Sequence, residues 1–316
     1  LFAVINSFSI INFSHLILLY DKKLKNKLMD QLNKHKELTV AIVLYKEDFD
    51  LVFKTLEQLR SFKIIIIDNA NNISLKNKII RNFTIEKYVL NKKNLGFSAG
   101  YNQAAKICKS KYFLILAPDC IISLSSINNL QDYLSKDPNC FLVAPTAYNQ
   151  DMTSMTYVGG PLPENANRNT ILNLSGNTCV ESVLGACMLF RTSDFRNIGM
   201  FDENFFIYFS DDDLCRRISS LKKSIIQIYN SQCIHTHGII KLKNKYIGKF
   251  VRENNYTFDH LYYYFKINKN HNEIKKVFNK IPSLIIKLLV KFITLNILKF
   301  VEILARLFAI LRFVFK

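Results

Sequence analysis

The segment FDENFFIYFSDDDLCRR at residues 201–217 places five carboxylates among aromatic residues, in a chain whose formal net charge is +18. Aromatic rings beside a carboxylate shield it from water, which raises its pKa toward that of a useful general base. The structural alternative is a helix cap, in which Ser210 or Asp211 caps the helix and the acids that follow favour its positive end. A cap accounts for only one or two carboxylates, so we expect the segment also to do chemistry. The shielding rings would be Phe205, Phe206, Tyr208 and Phe209.

Other polar residues follow predicted strands or precede helices. Asp68 and Asp119 each come directly after an apolar run, Asn94–Gly96 form a loop, and His235 and His237 come late in the chain. Asp119 and His235 offer oxygen and imidazole ligands that suit Mg²⁺ or Mn²⁺ bound with a diphosphate. Each has a structural alternative: Asp119 follows a proline and could close a turn, and His235 could be a hydrogen-bonded core histidine.

The elements that would position these residues are alternating strands and helices. The runs LTVAIVLY, KIIIIDNA and YFLILAPD are continuous and apolar, and segments with helical spacing separate them. This alternation predicts βαβ units and an α/β fold, with a mostly parallel central sheet flanked by helices. Further along, the pattern predicts a strand or buried segment in ESVLGACMLFR, a helix at about 213–222 and a strand in SIIQIYN. Ligands of such sheets bind beyond the carboxyl ends of the strands.

The positive charge is concentrated near the two ends of the chain. Residues 241–316 contain 16 Lys and Arg against 4 Asp and Glu, and residues 1–36 contain 6 against 2. Such patches attract nucleic acid or an anionic membrane. The basic residues lie among aliphatic ones, without the interleaved aromatic residues on which bases stack, so we exclude a nucleic-acid partner.

The last 36 residues, IPSLIIKLLVKFITLNILKFVEILARLFAILRFVFK, repeat charged positions at steps of three and four. The spacing predicts an amphipathic cationic helix that lies in a membrane interface. The alternative is a terminal helix packed on the domain or at a dimer interface. A spanning helix is disfavoured because charges interrupt the ~20 apolar residues that spanning requires.

The first 20 residues, LFAVINSFSIINFSHLILLY, are long enough to cross a bilayer but contain Asn6, Asn12 and His15. We expect membrane contact here too, with a transmembrane segment or a buried helical prefix as the alternatives. The seven cysteines form no CxxC pair and are odd in number. This pattern disfavours a zinc ribbon or a disulfide scaffold and favours a reducing compartment, most simply the cytosol.

Residues 38–240 resemble the family 2 glycosyltransferases of the GT-A fold, most closely the rhamnosyltransferase-like members that build bacterial surface polysaccharides. The most specific matches are the blocks GACMLFR and GMFDENFFIYFSDDDLCRR, followed by IHTHG. Weaker matches are VAIVLY, IIIIDNANN, NKKNLGFSAGYNQA and FLILAPD. The resemblance implies an inverting transfer from a nucleotide-sugar donor with a divalent cation, Mg²⁺ or Mn²⁺.

The resemblance also implies roles for individual residues. Asp211 corresponds to the catalytic base and Asp213 to the second acid of that motif. Asp119 and His235 correspond to residues that hold the metal and the diphosphate. The positions implied for nucleotide-sugar binding are Tyr45, Asp68, Asn69, Asn94, Gly96, Phe97, Asn102 and Gly185.

Two positions depart from the family pattern. Ala117 stands where the family usually has Asn, two residues before Asp119, which removes a polar contact. Ser210 stands where the family usually has Glu, so Asp211 lacks its acidic neighbour on that side and Asp212 becomes a substitute candidate for the base. Both essential carboxylates are retained.

The sequence therefore predicts three parts: an apolar and basic extension at 1–36, a GT-A domain at 37–240, and a basic helical region at 241–316. We expect a membrane-associated enzyme at the cytoplasmic face of the plasma membrane, with a lipid-linked or glycan acceptor. The alternatives are a galactofuranosyl or N-acetylhexosaminyl transferase of the same fold, or an inactive membrane scaffold that keeps the fold. The sequence predicts no oligomeric state.

Overall fold

The computed structural model describes residues 34–152, 155–157, 159–165, 175–236, 244–267 and 271–315. The predictions for the apolar stretch at 1–20 and for His237 lie outside these residues.

A mixed ten-stranded sheet forms the centre of the described structure, in the order β3-β2-β1-β4-β9-β6-β10-β5, with β7 beside β6 and β8 beside β10. Strands β3, β2, β1 and β4 are parallel, β9 runs against both β4 and β6, and β5 runs against β10. The strands are β1 Leu38–Leu44, β2 Lys63–Asp68, β3 Lys87–Leu90, β4 Tyr112–Leu116, β5 Cys120–Ile122, β6 Cys140–Tyr148, β7 Met155–Tyr157, β8 Thr178–Cys179, β9 Cys187–Arg191 and β10 Ser224–His235.

Helices cover both faces of this sheet, as expected for strands that are apolar on both sides. Helices α1, α2 and α4 share one core cluster, and α3, α5 and α6 share the other. The helices of this part are α1 Phe49–Glu57, α2 Ile73–Asn82, α3 Gly96–Ile107, α4 Leu124–Lys136, α5 Thr192–Asn197 and α6 Ser210–Ser220.

Four helices follow the sheet: α7 Lys245–Lys266, α8 His271–Asn279, α9 Ile281–Ile293 and α10 Ile297–Val314. The single C-terminal helix that the sequence predicts is wrong, because Leu295 takes a left-handed φ of 53° between α9 and α10. The charged stripe of α10 also faces protein: Arg306 pairs with Glu253 of α7 at 2.9 Å, and the Arg312 guanidinium lies 3.9 Å from the Phe258 ring. Helix α10 therefore packs on α7.

Helix α9 differs from α10, because none of its residues is buried. Its exposed apolar side chains include Ile286, Leu289, Phe292 and Ile293, the last of them 77% exposed. In the described part of the chain, every helix is too short or too polar to cross a membrane.

Candidate active site

The carboxyl ends of β2 and β3 form one polar cluster. The buried Asp68 carboxylate accepts hydrogen bonds from the Tyr88 hydroxyl at 3.0 Å and from backbone amides of the turn that follows it. Asn69 donates to the carbonyl of Gly96 at 3.0 Å and accepts from the Asn91 side chain at 2.9 Å. The cluster therefore connects two strand ends to the start of α3.

The start of α3 lies against the aromatic part of the acidic segment. The Phe97 amide donates to the Phe206 carbonyl at 2.7 Å, and the Asn94 side chain accepts from the Gly96 amide at 2.9 Å. Gly96 has a φ of 84°, and a Cβ there would lie 2.4 Å from the Phe206 oxygen. Only glycine fits this position, for both backbone and steric reasons. The structure thus brings Gly96 and Phe97 to the acidic segment, 110 residues further on in the chain.

We expect Gly96→Ala to lower the free energy of unfolding by about 1–3 kcal/mol, because alanine is strained at positive φ and its Cβ meets a backbone oxygen. Urea unfolding measures the change. Gly176→Ala is the matched control, since its Cβ would meet nothing within 4 Å and its φ is not positive. An equal effect of the two substitutions would contradict the close approach between α3 and the acidic segment.

The end of β1 brings a carboxyl group that the sequence analysis missed. Glu47 accepts a hydrogen bond from the Tyr45 amide, and the Lys46 ammonium lies 5.1 Å from the Tyr45 ring centre. Burial raises the pKa of Glu47 to about 7, and the charges of Asp68 and Asp119 add to this rise. The charges of both predicted site aspartates therefore act on Glu47. It belongs to no recognised motif, so only its place just after a predicted strand could have pointed to it.

Asp119 and His235 meet at the edge of the sheet, as a shared metal site requires. The Asp119 Oδ1 and His235 Nε2 atoms lie 3.4 Å apart, and both side chains are nearly buried. The contact arises because β5 and β10 are antiparallel, with Cys120 paired to His235. Two ligand atoms at this spacing fit one ion with bonds of about 2.1 Å. Among the described residues, no group of three or more His, Cys, Asp or Glu side chains is arranged to hold a metal, so Asp119 and His235 form a pair of candidate ligands and stay a prediction.

Asp211 is held at the same edge by backbone contacts. Its Oδ2 accepts from the Gly185 amide at 2.8 Å, and a Cβ on Gly185 would lie 3.1 Å from that oxygen. The next residue, Ala186, accepts from the Ala117 amide at 2.8 Å, two residues before Asp119. A short chain of contacts therefore links Asp211 to the metal-ligand candidate Asp119. Burial raises the pKa of Asp211, in the direction that the sequence analysis expected for a base.

The two acids that follow Asp211 have different surroundings. Asp212 accepts from the Ser182 hydroxyl at 2.6 Å, and burial, followed by the charge of Asp211, raises its pKa to about 7. Asp213 is buried and forms ion pairs with Arg217 at 2.9 Å and with Lys266 at 2.7 Å. These pairs favour a structural role for Asp213, whereas Asp211 and Asp212 lack such cationic partners among the described residues. The predicted catalytic role of Asp213 stays a prediction.

The predicted side-chain cap of this helix is wrong. Helix α6 begins at Ser210 with Phe209 at the N-cap, and no side chain there accepts a capping hydrogen bond. Ser210 is instead buried, with its hydroxyl 2.7 Å from that of Ser98. Phe209 has a φ of 60°, a conformation that costs a non-glycine residue of order 1–3 kcal/mol and is common at functional sites. The three acids in the first turn still favour the positive end of the helix.

The aromatic residues before Asp211 pack on α7. Phe205 contacts Tyr262 at a ring-centre distance of 4.9 Å, and Phe209 contacts Tyr263 at 5.3 Å. The Asp259 carboxylate of α7 accepts from three successive backbone amides, at residues 206, 207 and 208 and distances of 3.0–3.2 Å. Burial raises the pKa of Asp259 to about 6. Helix α7 thus fixes the backbone of the segment that carries Asp211.

We expect Asp259→Asn to lower the free energy of unfolding by about 1–3 kcal/mol, because the amide has one acceptor oxygen for three buried donors and turns an NH₂ group toward them. Denaturant unfolding measures the loss. Asp194→Asn is the matched control. The Asp194 side chain is about a third exposed, pairs with Arg191 and accepts a long bond from the Ser193 hydroxyl, so the substitution costs about 1 kcal/mol or less. Equal losses would contradict an anchoring role for Asp259.

The buried side chain of Asn102 also contacts the acidic segment. It donates to the Phe201 carbonyl at 2.9 Å, accepts from the Phe201 amide at 3.0 Å, and donates to Glu203 at 3.0 Å. These bonds use both ends of the amide, so Asn102 orients the backbone at the start of the segment. The predicted contact of Asn102 with a nucleotide stays a prediction.

The sequence matches the model of a protein family. The model of "Glycosyl transferase family 2" matches residues 39–199. A hexosyltransferase of low-salt glycan biosynthesis, Agl10 of Haloferax volcanii, is 23% identical over 216 residues, which is 64% of this chain and 68% of that protein. The rhamnosyltransferase WbbL of Escherichia coli K12 is 26% identical over 193 residues, 54% of this chain and 72% of that one.

Solved structures support the fold. GalNAc-T7 with UDP, GalNAc and Mn²⁺ aligns with a TM-score of 0.51 and 16% identity, over 64% of this chain and 44% of that one. The mannosyltransferase PcManGT of Pyrobaculum calidifontis, in complex with GDP-Man and Mn²⁺, aligns with a TM-score of 0.51 and 13% identity, over 73% of this chain and 64% of that one. The chain thus spans less than two thirds of either protein, and this likeness shows the fold alone. The predicted GT-A type of α/β fold is confirmed.

The predicted family is confirmed as well, because the family match runs through β1, the Asp68 turn, the start of α3, Asp119 and Gly185 and ends after α5, covering half of the chain. The chain belongs to glycosyl transferase family 2.

Proposed function

We propose that this enzyme is an inverting hexosyltransferase, which moves rhamnose or a similar sugar from a nucleotide-diphosphate donor to a hydroxyl of a lipid-linked or polysaccharide acceptor. The pathway would be the synthesis of a cell-surface glycan of the O-antigen or capsule type. The observation that carries the proposal is the half-buried Asp211 carboxylate, oriented by the Gly185 amide, at the same sheet edge as the Asp119–His235 pair.

Asp211 would act as the general base. Its carboxylate accepts the proton of the acceptor hydroxyl while that oxygen attacks the anomeric carbon of the donor and the nucleoside diphosphate leaves. A single displacement of this kind inverts the anomeric configuration. The raised pKa of Asp211 strengthens it as a base at neutral pH. Asp212, with a pKa of about 7, is the nearest substitute.

Asp119 and His235 would hold a divalent cation, Mg²⁺ or Mn²⁺, together with oxygens of the donor diphosphate. The ion supplies Lewis-acid stabilisation of the charge that develops on the leaving diphosphate. The polar cluster of Asp68 and Asn69, with Tyr45, Asn94, Gly96 and Phe97 beside it, would bind the nucleotide. This assignment follows the rule that ligands of open α/β sheets bind beyond the carboxyl ends of the strands.

The C-terminal helices would bring the enzyme to the cytoplasmic face of the plasma membrane. The support is the exposed apolar surface of α9, which also carries Lys287 and Lys291, and the excess of positive charge in residues 241–316. A cationic helix with an exposed apolar face binds anionic lipid surfaces. The proposal includes the three parts predicted from the sequence: the extension at 1–36, the GT-A domain at 37–240 and the basic helical region at 241–316.

The test is a panel of nucleotide sugars supplied to the full chain with Mg²⁺ or Mn²⁺ and a membrane lipid extract. Release of nucleoside diphosphate and transfer of a labelled sugar to lipid are measured. Metal-dependent transfer from one donor supports the proposal and identifies that donor. Transfer only from a galactofuranosyl or N-acetylhexosaminyl donor would show that the donor sugar is not rhamnose. If no donor binds with either metal, the result supports the inactive scaffold instead.

A further inference from the structure

A cavity of about 560 Å³ lies between the C-terminal helices and the segment that precedes Asp211. Helix α7 contributes Arg252, Tyr256 and His260 to its lining, and α8, α9 and α10 contribute further side chains. Tyr208, three residues before Asp211, lines the side toward the acidic segment. The volume lies in the usual range of ligand pockets, about 300–1,000 Å³. The cavity therefore has room for part of a substrate beside the segment that precedes the candidate base.

The charged lining of the cavity is mainly cationic. Arg252, Lys280 and Arg306 line it, against the single carboxylate of Glu253. Glu253 is already paired with Arg306 at 2.9 Å and with Lys249 at 2.9 Å. No carboxylate in the described part of the chain pairs with Arg252 or Lys280. Two cationic side chains are thus available to an anion inside the cavity.

The lining also includes apolar side chains. Val277, Leu284 and Ile310 close the cavity toward α8, α9 and α10. Leu284 belongs to α9, whose neighbouring side chains Ile285 and Ile286 are exposed. A ligand that leaves the cavity past Leu284 would therefore continue along an apolar surface. A small inorganic ion would gain nothing from this surface, whereas an alkyl or isoprenoid chain would bury it.

We propose that this cavity binds the phosphate-bearing head of a lipid-linked acceptor, with Arg252 and Lys280 on the phosphate and the lipid chain running out past Leu284 onto α9. The inference rests on the proposed function and names the acceptor class, a phosphorylated lipid. Arg and Lys suit phosphate because they donate charged hydrogen bonds. Tyr208 then separates the lipid head from Asp211, so the sugar that the lipid carries would reach the base.

The experiment measures the binding of dodecyl phosphate, below its micelle concentration, to the full chain by isothermal titration calorimetry. The test variant is Arg252→Gln with Lys280→Gln. The matched control is Lys109→Gln with Lys136→Gln, which removes the same charge from exposed side chains outside the cavity lining. A third variant, Lys287→Gln with Lys291→Gln, removes the same charge from the α9 surface. We expect the dissociation constant to rise about tenfold or more in the test variant and to stay within about twofold in the control. Inorganic phosphate and dodecanol, titrated separately, should each bind at least about tenfold more weakly than dodecyl phosphate.

Three results would overturn the proposal. Equal affinity of wild type and test variant would place the phosphate elsewhere. Equal binding of inorganic phosphate would make the cavity a plain anion site. A loss confined to the Lys287 and Lys291 variant would indicate adsorption to a lipid surface through α9. Binding of the nucleotide-sugar donor is measured in the same samples, so a failure of the proposed function appears as lost donor binding and is distinct from a failure at this cavity.

Discussion

Replacing Asp211 by Asn should reduce sugar transfer by about 10²–10⁴-fold while donor binding stays within about twofold of wild type. The amide cannot accept the proton of the acceptor hydroxyl, and a positioned general base contributes a factor of this size. The substitution keeps the size of the side chain and one acceptor oxygen for the Gly185 amide, whereas the Asp212 amide, which donates to the other carboxylate oxygen at 3.1 Å, loses its acceptor. Urea unfolding of the variant therefore accompanies the activity measurement and separates a loss of stability from a loss of the base. Transfer to the lipid extract is measured by single-turnover kinetics, and donor binding by calorimetry.

Asp212→Asn is the matched control, because Asp212 is the adjacent carboxyl and has a raised pKa of its own. We expect it to keep most of the activity. If Asp212→Asn loses as much transfer activity as Asp211→Asn, both carboxyl groups are needed for the general base. If only Asp212→Asn loses activity, Asp212 is the general base.

The pH profile gives an independent check. The base works only when it is deprotonated, and burial raises the pKa of Asp211. Activity should therefore rise with pH through a midpoint above the ordinary aspartate value of about 3.9, and should fall as the pH drops below that midpoint. Asp211→Asn should lose this acid limb together with the activity.

The sheet could be predicted from the sequence where its strands are buried on both faces. Continuous apolar runs predict β1, β2 and β4, because a strand covered by helices on both faces is apolar at every position. The direction of β9 could not be predicted, because nothing local in CMLFR distinguishes a strand that is parallel to β4 from one that is antiparallel to it. The sheet is therefore more mixed than the sequence suggested.

The start of α3 also could not be predicted from the local sequence. The sequence analysis predicts a loop at Asn94–Gly96, whereas α3 already begins at Gly96, and glycine and serine are weak helix formers. The structure explains the glycine at position 100: a Cβ there would lie 2.8 Å from Val43 of β1. Close packing of a helix on a strand overrides the local preference.

The predicted site residues Asp68, Gly96, Asp119, His235 and Asp211 could be found because each stands at a strand end or a helix start. The anchor Asp259 could not, because it contacts amides about 50 residues earlier and lies within an ordinary helical pattern. The break between α9 and α10 has a local signal in the sequence, the asparagine at position 296. The Asn296 side chain accepts from the Lys299 amide, the bond of an N-cap.

Replacing Asp119 by Asn should reduce transfer by about 100-fold or more and raise the Mn²⁺ concentration needed for half-maximal activity. The amide oxygen is a neutral ligand, so the charge attraction between carboxylate and ion is lost. Asn has nearly the same size as Asp, so the side chain can still lie 3.4 Å from His235. Mn²⁺ binding in the presence of the nucleoside diphosphate, followed by electron paramagnetic resonance, measures the ion directly and does not depend on turnover.

The companion variant is His235→Gln. The control is Asp132→Asn, a partly exposed acid of α4 that pairs with Lys34. If the two residues hold one ion, both site variants weaken Mn²⁺ binding and the control does not. If Mn²⁺ binding is unchanged in Asp119→Asn, the pair is a structural contact and the diphosphate must be neutralised by other groups. Glu47 would then be the next residue to test, because it is a carboxyl group just after β1 on which the charges of Asp68 and Asp119 act.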